Sequence, residues 1–253
     1  MMVFYFYIMA KENKIFGIYP VLEALKAAVV IDKLYVQKDI QNPKIQSIIK
    51  DAEKVGATIN SVPVEKLNRL TNGNHQGVVA VTSPIDFPSL EETVETILKT
   101  KEAPLFIILD QISDVRNFGA ILRTAECTGV DAVIIQKKGG APVSGDTVKT
   151  SAGAIFNIPI CKVDHIKDAI FYLQGSGITT IAATEKSEET LYSKDFKKPI
   201  ALIMGSEGKG VSKSVLSLVD EAASLPLIGT INSLNVSVAC GAFLYEILRQ
   251  RSL

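Results

Sequence analysis

Apolar residues follow two different spacings along the chain, and together these spacings predict an α/β protein. A continuous apolar run such as Leu105–Leu109 is typical of a strand that is covered on both faces. Apolar positions that recur every three or four residues, as from Phe118 to Ala125, predict a helix. Further strands are predicted at 132–135, 178–183 and 200–204, and further helices at 166–173 and 212–219. This alternation predicts a parallel sheet with helices on both faces.

The first part of the chain predicts a separate and smaller α/β unit. One helix is predicted after the Gly/Pro turn at 16–20, and another after Asn42, since Pro43 suits the first turn of a helix. Short strands are predicted at 34–36, 58–62 and 77–82. The composition changes at Pro84–Pro88. We therefore expect a small domain over residues 1–83, a linker over 84–104 and a larger domain over 105–253.

The stretch from Leu225 to Ser237 is the strongest candidate for chemistry. An apolar run over 222–227 predicts a buried strand that breaks at Gly229, and small polar residues then precede a helical pattern. Ser233 or Asn235 suits the N-cap of that helix. Ligands of open α/β sheets bind beyond the carboxyl ends of strands, and a helix N-terminus offers unpaired N–H groups.

Composition bears on whether the chain is a globular, nucleic-acid-binding, membrane or secreted protein. The chain has 253 residues, 47% of them hydrophobic, which is enough for a sizeable core. The 27 basic residues balance 27 acidic ones, a weak electrostatic footprint for nucleic acid. No apolar run is long enough to span a membrane, and residues 1–8 are interpreted as an upstream extension, not a signal peptide. The scattered Cys127, Cys161 and Cys240 are expected to be small core residues, which favours a cytoplasmic protein.

Three stretches, each weak alone, together resemble a known family. They are Asn117–Ala125 (NFGAILRTA) and Ile203–Val211 (IMGSEGKGV), each after a strand, and Leu225–Ser237 (LPLIGTINSLNVS), which begins as one. In this order they resemble the SpoU (TrmH-like) family of RNA ribose 2′-O-methyltransferases, in the SPOUT superfamily. The resemblance covers about residues 105–251. Residues 15–83 resemble the small ribosomal-protein-L30-like domain that precedes it in the RlmB-type branch.

The resemblance implies a fold and a cofactor that composition does not. It implies a deep trefoil knot in the larger domain, an exception to the rule against knots. It also implies S-adenosylmethionine, with no metal, bound in the knot largely by backbone groups. The residues that match the cofactor-binding positions are Gly205, Leu225, Ile228 and Leu234.

The same resemblance implies a polar catalytic set. Its members are Asn117, Arg123, Glu207, Ser233 and Asn235. The enzyme must align the ribose 2′-oxygen with the methyl group and help to remove its proton. In enzymes of this family, the arginine that matches Arg123 is proposed as the base. A guanidinium with a pKa of about 12.5 or more stays protonated, however. Phosphate anchoring and hydroxyl orientation are its minimum role.

Each of these residues also has a structural interpretation. Asn117 could cap the helix that follows it, Arg123 could pair with Glu126 at i+3, and Glu207 could be a solvated turn residue. Ser233 and Asn235 could shape the cofactor loop without touching RNA.

The expected function is therefore methylation of a guanosine in large-subunit ribosomal RNA by a homodimer. RNA, not DNA or a membrane, is the expected partner because the 2′-hydroxyl distinguishes RNA. A transfer-RNA ribose methyltransferase is the alternative within the enzyme class. An RNA-binding or ribosome assembly factor that has lost catalysis is the alternative outside it.

Overall fold

The computed structural model describes residues 14–252, which form two compact units. The first unit holds residues 14–86 and 142–146, and the second holds 87–141 and 147–252. The extension predicted at residues 1–8 lies outside the described part. Within that part, no helix is long and apolar enough to cross a membrane.

The first unit is a four-stranded mixed sheet packed against helices. Its sheet order is β1-β4-β2-β3, and β4 is buried along its whole length. The predicted helix after Asn42 is confirmed: the Asn42 side chain accepts a hydrogen bond from the Lys44 N–H at 3.0 Å, and Pro43 occupies the first turn. The elements are β1 (Lys14–Phe16), α1 (Ile18–Lys26), β2 (Ile31–Gln37), α2 (Pro43–Lys54), β3 (Thr58–Val62), α3 (Val64–Leu70) and β4 (Val78–Thr82).

The second unit is built on a six-stranded sheet in which all pairings are parallel. Its order is β10-β8-β9-β5-β6-β7, so β9 returns to the centre beside β5. Every residue of β5 and β9 is buried, as the continuous apolar runs predict. The strands are β5 (Leu105–Asp110), β6 (Ala132–Gln136), β7 (Ile160–Val163), β8 (Thr179–Ala183), β9 (Ile200–Gly205) and β10 (Glu221–Ala223).

Helices complete the second unit. The helix inside the predicted linker places Leu90 and Val94 in the same core as Phe106 and Ile170, while the domain boundaries themselves stay a prediction. The helices are α4 (Leu90–Leu98), α5 (Val115–Cys127), α6 (Gly145–Thr150, whose first two residues are counted with the first unit), α7 (Ile166–Gly175), α8 (Lys213–Leu216) and α9 (Val236–Arg251).

Two predicted elements are much shorter than expected. The helix predicted over 212–219 ends at Leu216, because Asp220 accepts hydrogen bonds from the N–H and hydroxyl of Thr180 at 2.8 and 2.7 Å. The strand predicted over 222–227 ends at Ala223. Beyond it the Ser224 N–H bonds to the loop before β9, and Pro226 has no N–H to donate.

One cysteine prediction is also wrong. Cys161 and Cys240 are buried, and burial raises the pKa of the Cys240 thiol to about 12. Cys127 is exposed instead, because it ends α5 outside the buried stripe that includes Phe118 and Ala125. Two buried cysteines are therefore structural, and the third lies on the surface.

Candidate active site

A cleft of about 520 Å³ opens at the carboxyl ends of β8 and β9 in the second unit. Its walls come from the loops after these strands, the loop between β10 and α9, and the first turns of α9. This is where ligands of open α/β sheets bind. Its lining includes six residues that the sequence singles out, namely Gly205, Glu207, Leu225, Ser233, Leu234 and Asn235.

The loop after β9 is a tight turn that folds back on its own strand. Ser206 and Gly210 exchange backbone hydrogen bonds at 3.1 and 2.9 Å, and Gly208 and Gly210 have positive φ angles of 80° and 66°. A Cβ on Gly205 would lie 2.0 Å from the backbone of Gly210 and Val211. The close approach that requires glycine at 205 is therefore made by the protein's own backbone. The turn displays Glu207 at its exposed tip.

The end of this turn is fixed by Asp110, a buried carboxylate that the sequence analysis did not identify. Asp110 ends β5 and accepts a hydrogen bond from the Ser212 N–H at 2.8 Å. The bond joins the loops after two neighbouring strands, so it fixes the position of the turn that carries Glu207. Only the position of Asp110 after an apolar run could have indicated this role.

Helix α9 brings the third motif beside the first. It packs along α5, and a Cβ on Gly241 would lie 3.8 Å from Cγ2 of Thr124. A methyl group at this position would therefore make an ordinary van der Waals contact with α5. The N-terminal end of α9 therefore lies next to the first turns of α5.

Asn235 joins the three motifs through one side chain. It caps α9, because its Oδ1 accepts from the N–H and hydroxyl of Ser237 at 2.9 and 2.6 Å. Its Nδ2 donates to Oδ1 of Asn117 at 3.0 Å and to Oε1 of Glu207. Both ends of the amide are used, so its orientation is fixed by the network. We call Asn117, Glu207 and Asn235 the amide–carboxylate network.

Asn117 is free for this network because another residue caps its helix. Asp114 is the N-cap of α5 and accepts from the N–H groups of Arg116 and Asn117 at 2.8 and 2.9 Å. The interpretation of Asn117 as a helix cap is therefore wrong. A carboxylate at the start of the helix also complements its dipole.

The other predicted residues are placed differently. Ser233 and Leu234 line the cleft, whereas Ile228 does not and its side chain is fully exposed. Arg123 is exposed on α5, outside the cleft lining, and has no hydrogen bond or ion pair within residues 14–252. The alternative interpretation of Arg123 as a surface residue paired with Glu126 is not observed, and Glu126 accepts a hydrogen bond from Asn157 at 3.2 Å instead.

Comparison with known families and proteins agrees with this geometry. A family model described as the SpoU rRNA Methylase family matches residues 104–245, and one described as RNA 2′-O ribose methyltransferase substrate binding matches residues 14–88. The chain belongs to the SpoU family. The match covers both the cleft and the three motifs.

Individual relatives of this SpoU chain cover between 64% and 96% of it. A putative TrmH family tRNA/rRNA methyltransferase, YacO, from Bacillus subtilis is 33% identical over 96% of this chain and 97% of its own. An S-adenosylmethionine-bound rRNA methyltransferase from Sinorhizobium meliloti superposes with a TM-score of 0.60 at 25% identity, covering 94% of this chain and 87% of its own. The TrmH/SpoU tRNA-modifying enzyme of Aquifex aeolicus (A. aeolicus) has a TM-score of 0.55 at 30% identity, but covers 64% of this chain and 82% of its own.

The cleft of this SpoU methyltransferase suits its cofactor, S-adenosylmethionine. A volume of about 520 Å³ lies within the usual range for small-molecule sites. Met204, Leu225 and Phe243 give the cleft apolar walls that suit a flat ring, and the carboxylates of Glu185 and Glu207 line the same cleft, which suits a ligand with a positive sulfur. Among the described residues, no group of His, Cys, Asp and Glu side chains could hold a metal ion.

Proposed function

We propose that this enzyme methylates the ribose 2′-hydroxyl of a guanosine in large-subunit ribosomal RNA. The observation that carries the proposal is the amide–carboxylate network, which joins residues from three separate motifs at the edge of the cleft. Carboxylate and amide groups of this kind bind and orient a hydroxyl. They also lie beside the cleft that suits the methyl donor.

S-adenosylmethionine supplies a methyl group that is already activated by the positive sulfur. The protein must then hold the ribose hydroxyl in line with it. Asn235 holds Oε1 of Glu207, while Oε2 accepts no hydrogen bond from any described residue. We assign Oε2 of Glu207 to the substrate hydroxyl, which would orient its proton away from the attacking lone pair.

Arg123 has a complementary role in this proposal. Its guanidinium is exposed and has no partner among residues 14–252, so it is available for the RNA backbone. A guanidinium binds phosphate through two parallel hydrogen bonds and keeps its charge at neutral pH. We therefore assign Arg123 to anchoring the phosphate beside the target ribose. The positive charge next to the hydroxyl would also favour transfer of its proton to Oε2 of Glu207 as the methyl group bonds to the 2′-oxygen.

The coverage of the structural relatives favours ribosomal RNA over transfer RNA. The Sinorhizobium rRNA methyltransferase covers 94% of this chain, whereas the Aquifex tRNA-modifying enzyme covers 64%. A full-length match supports an rRNA substrate, because it includes the substrate-binding region at residues 14–88. The transfer-RNA alternative remains a second candidate because YacO is named for both substrates.

Mapping ribose methylation in RNA from cells that lack this protein tests the substrate. The proposal predicts that one guanosine of large-subunit ribosomal RNA loses its methyl group and regains it when the wild-type gene is restored. Loss at a transfer-RNA position would select the alternative substrate. An unchanged map would indicate an assembly factor without catalysis.

We also propose that the enzyme is a cytoplasmic homodimer in which the second unit forms the interface. Exposed apolar side chains follow one another along the loop before α9 and along α9 itself, and such a row favours burial against another surface. They are Leu227, Ile228, Ile231, Leu234, Val238 and Tyr245. The trefoil knot that the resemblance implies stays a prediction for this unit.

A truncation tests the division of labour between the domains. A protein that starts near Phe87, and therefore keeps α4 in the core of the second unit, is expected to stay dimeric and bind S-adenosylmethionine. It is expected to bind ribosomal RNA fragments more weakly and with a shallower salt dependence, since residues 1–83 would supply RNA affinity. Light scattering and RNA titrations at several salt concentrations measure both properties. A monomeric truncation, or one with full RNA affinity, would refute the corresponding half.

A further inference from the structure

Glu185 is a carboxylate in the cleft that no motif includes. It follows β8 directly and lines the cleft together with Gly210 and Leu225. A Cβ built on Gly210 would lie 3.9 Å from its Oε2, so the carboxylate lies against the turn after β9. Glu185 has no hydrogen bond or ion pair with any residue between 14 and 252, whereas Glu207 is bonded to Asn235. Its two oxygens are therefore available to a ligand.

The backbone around Glu185 is fixed on both sides. The Thr184 N–H donates to the carbonyl oxygen of Ala223 at 2.9 Å, which ties the end of β8 to β10. The Thr184 hydroxyl oxygen accepts from the Lys186 N–H at 3.3 Å, which closes a short turn around Glu185. Thr184 itself is buried. The position of the Glu185 Cα is therefore fixed, so only the side-chain torsions have to be ordered when a ligand binds.

The order of the strands places Glu185 midway along the cleft edge. Leu225 follows β10, Glu185 follows β8 and Glu207 follows β9, whereas Asn117 lies in the first turn of α5, the helix after β5. The cofactor has a matching series, with an apolar base, a ribose and a sulfonium. If the adenine lies against Leu225 and the methyl group reaches the amide–carboxylate network, the ribose of the cofactor lies at the end of β8.

We propose that the Glu185 carboxylate binds the 2′- and 3′-hydroxyls of the cofactor's ribose. The inference rests on the proposed function, since it uses the amide–carboxylate network as the site of methyl transfer. A vicinal diol offers two donors at the spacing of two carboxylate oxygens, and hydrogen bonds to a charged acceptor are stronger than neutral ones. The cofactor's ammonium group is the competing partner for this carboxylate, and the test below distinguishes it from the ribose.

Two ligands and three variants of the full-length protein test this assignment. The ligands are S-adenosylhomocysteine and 5′-methylthioadenosine, which share the adenine and ribose but differ in the amino-acid group. The variants are Glu185→Ala, the isosteric Glu185→Gln, and Glu188→Ala as a control. Glu188 is exposed on the same loop and does not line the cleft, so its replacement changes the charge equally.

Calorimetry is expected to show that Glu185→Ala lowers the binding affinity for both ligands by about tenfold or more. This is the size expected for loss of hydrogen bonds to a charged group. Glu185→Gln keeps the side-chain shape and one acceptor, so we expect a smaller loss, again equal for both ligands. Glu188→Ala is expected to bind both within about twofold of wild type, the usual size of surface effects. Thermal unfolding of each variant confirms that it is folded.

Each other result contradicts the assignment. A loss confined to S-adenosylhomocysteine would place Glu185 at the ammonium group, and unchanged affinities for both ligands would remove it from the site. If Glu185→Ala does not fold, the affinities of Glu185→Gln for the two ligands are compared in the same way. Wild-type protein that binds neither ligand would refute the cofactor cleft itself, which separates failure of the proposed function from failure of this inference.

Discussion

The two ends of helix α9 carry polar networks in different surroundings. At its N-terminal end, Asn235 bonds to Asn117 and Glu207 in an exposed position at the cleft. At its C-terminal end, half-buried Arg251 donates to main-chain carbonyls from other parts of the second unit, including Phe196 at 2.9 Å and Ala103 at 2.7 Å. The first network keeps free acceptors, whereas the second is satisfied within the protein.

This difference in surroundings indicates which network serves folding and which serves catalysis. Burial lowers the pKa of Arg251, so removing a partner there leaves desolvated groups unpaired. Near the same end, hydrogen bonds from Arg249 and Gln250 lower the pKa of Glu246 to about 2 and keep that carboxylate charged. At the N-terminal end, water can replace any lost bond. We therefore expect substitutions at Arg251 to lower stability and substitutions at Asn235 to lower turnover.

The largest expected effect belongs to Arg123, which lies in neither network. Arg123→Ala should lower methyl transfer by about 10³-fold, in the range for loss of a group that assists proton transfer. Cofactor affinity and stability should stay near wild type, because Arg123 lies outside the cleft lining and makes no hydrogen bond or ion pair with another described residue. Single-turnover methylation and calorimetry measure both. The exposed Lys167 on α7, replaced by Ala, is a control for loss of surface charge.

Near-normal turnover in Arg123→Ala would assign that side chain to the surface alone. Loss of cofactor affinity in the same variant would contradict the separation between the RNA-binding residue and the cofactor cleft.

Arg251→Met should have the next largest effect, and on stability alone. It leaves several carbonyls near Phe196, Ala103 and Lys198 without their donor, which should cost about 3 kcal/mol of unfolding free energy. Turnover of the folded protein at 25 °C should stay within about twofold of wild type. The unfolding transition of the second unit is identified as the one whose midpoint temperature rises when S-adenosylhomocysteine is added. A variant with normal stability but lost turnover would reverse the comparison.

Asn235→Ser should have the smallest of the three effects, and on turnover alone. Serine is also a good N-cap, so α9 should keep its stability within about 0.5 kcal/mol. The hydroxyl cannot hold both Asn117 and Glu207, so turnover should fall about 30-fold, corresponding to ~2 kcal/mol for a bond to a charged group. Asn235→Ala removes the cap as well, and should add a stability loss of about 1 kcal/mol. Full turnover in Asn235→Ser would show that Asn235 serves only as a cap.

Local patterns predicted much of this fold, because strands and caps depend on neighbouring residues. The apolar run at 105–109 indicated a buried strand, and the small polar residues before Val236 indicated a helix start at Ser233 or Asn235, of which the structure has Asn235. Proximity of Asn117 and Asn235, 118 positions apart, could be expected only from the resemblance to the SpoU family.

The missed features all depend on partners that are distant in sequence. Asp110 bonds to Ser212, and Arg251 bonds to Ala103, so neither role leaves a local pattern. The early end of α8 depends in the same way on Asp220 and its bonds to Thr180. Glu185 was missed because its position midway along the cleft depends on the strand order.

The central claim is that the cleft and the amide–carboxylate network transfer a methyl group to the 2′-oxygen of RNA. The most direct test incubates the purified protein with methyl-labelled S-adenosylmethionine and ribosomal RNA from cells that lack it, then digests the RNA to nucleosides for mass spectrometry. We predict label in 2′-O-methylguanosine, with about 30-fold slower transfer by Asn235→Ser. Label on a base, or no transfer by folded protein that binds the cofactor and the RNA, would contradict the claim.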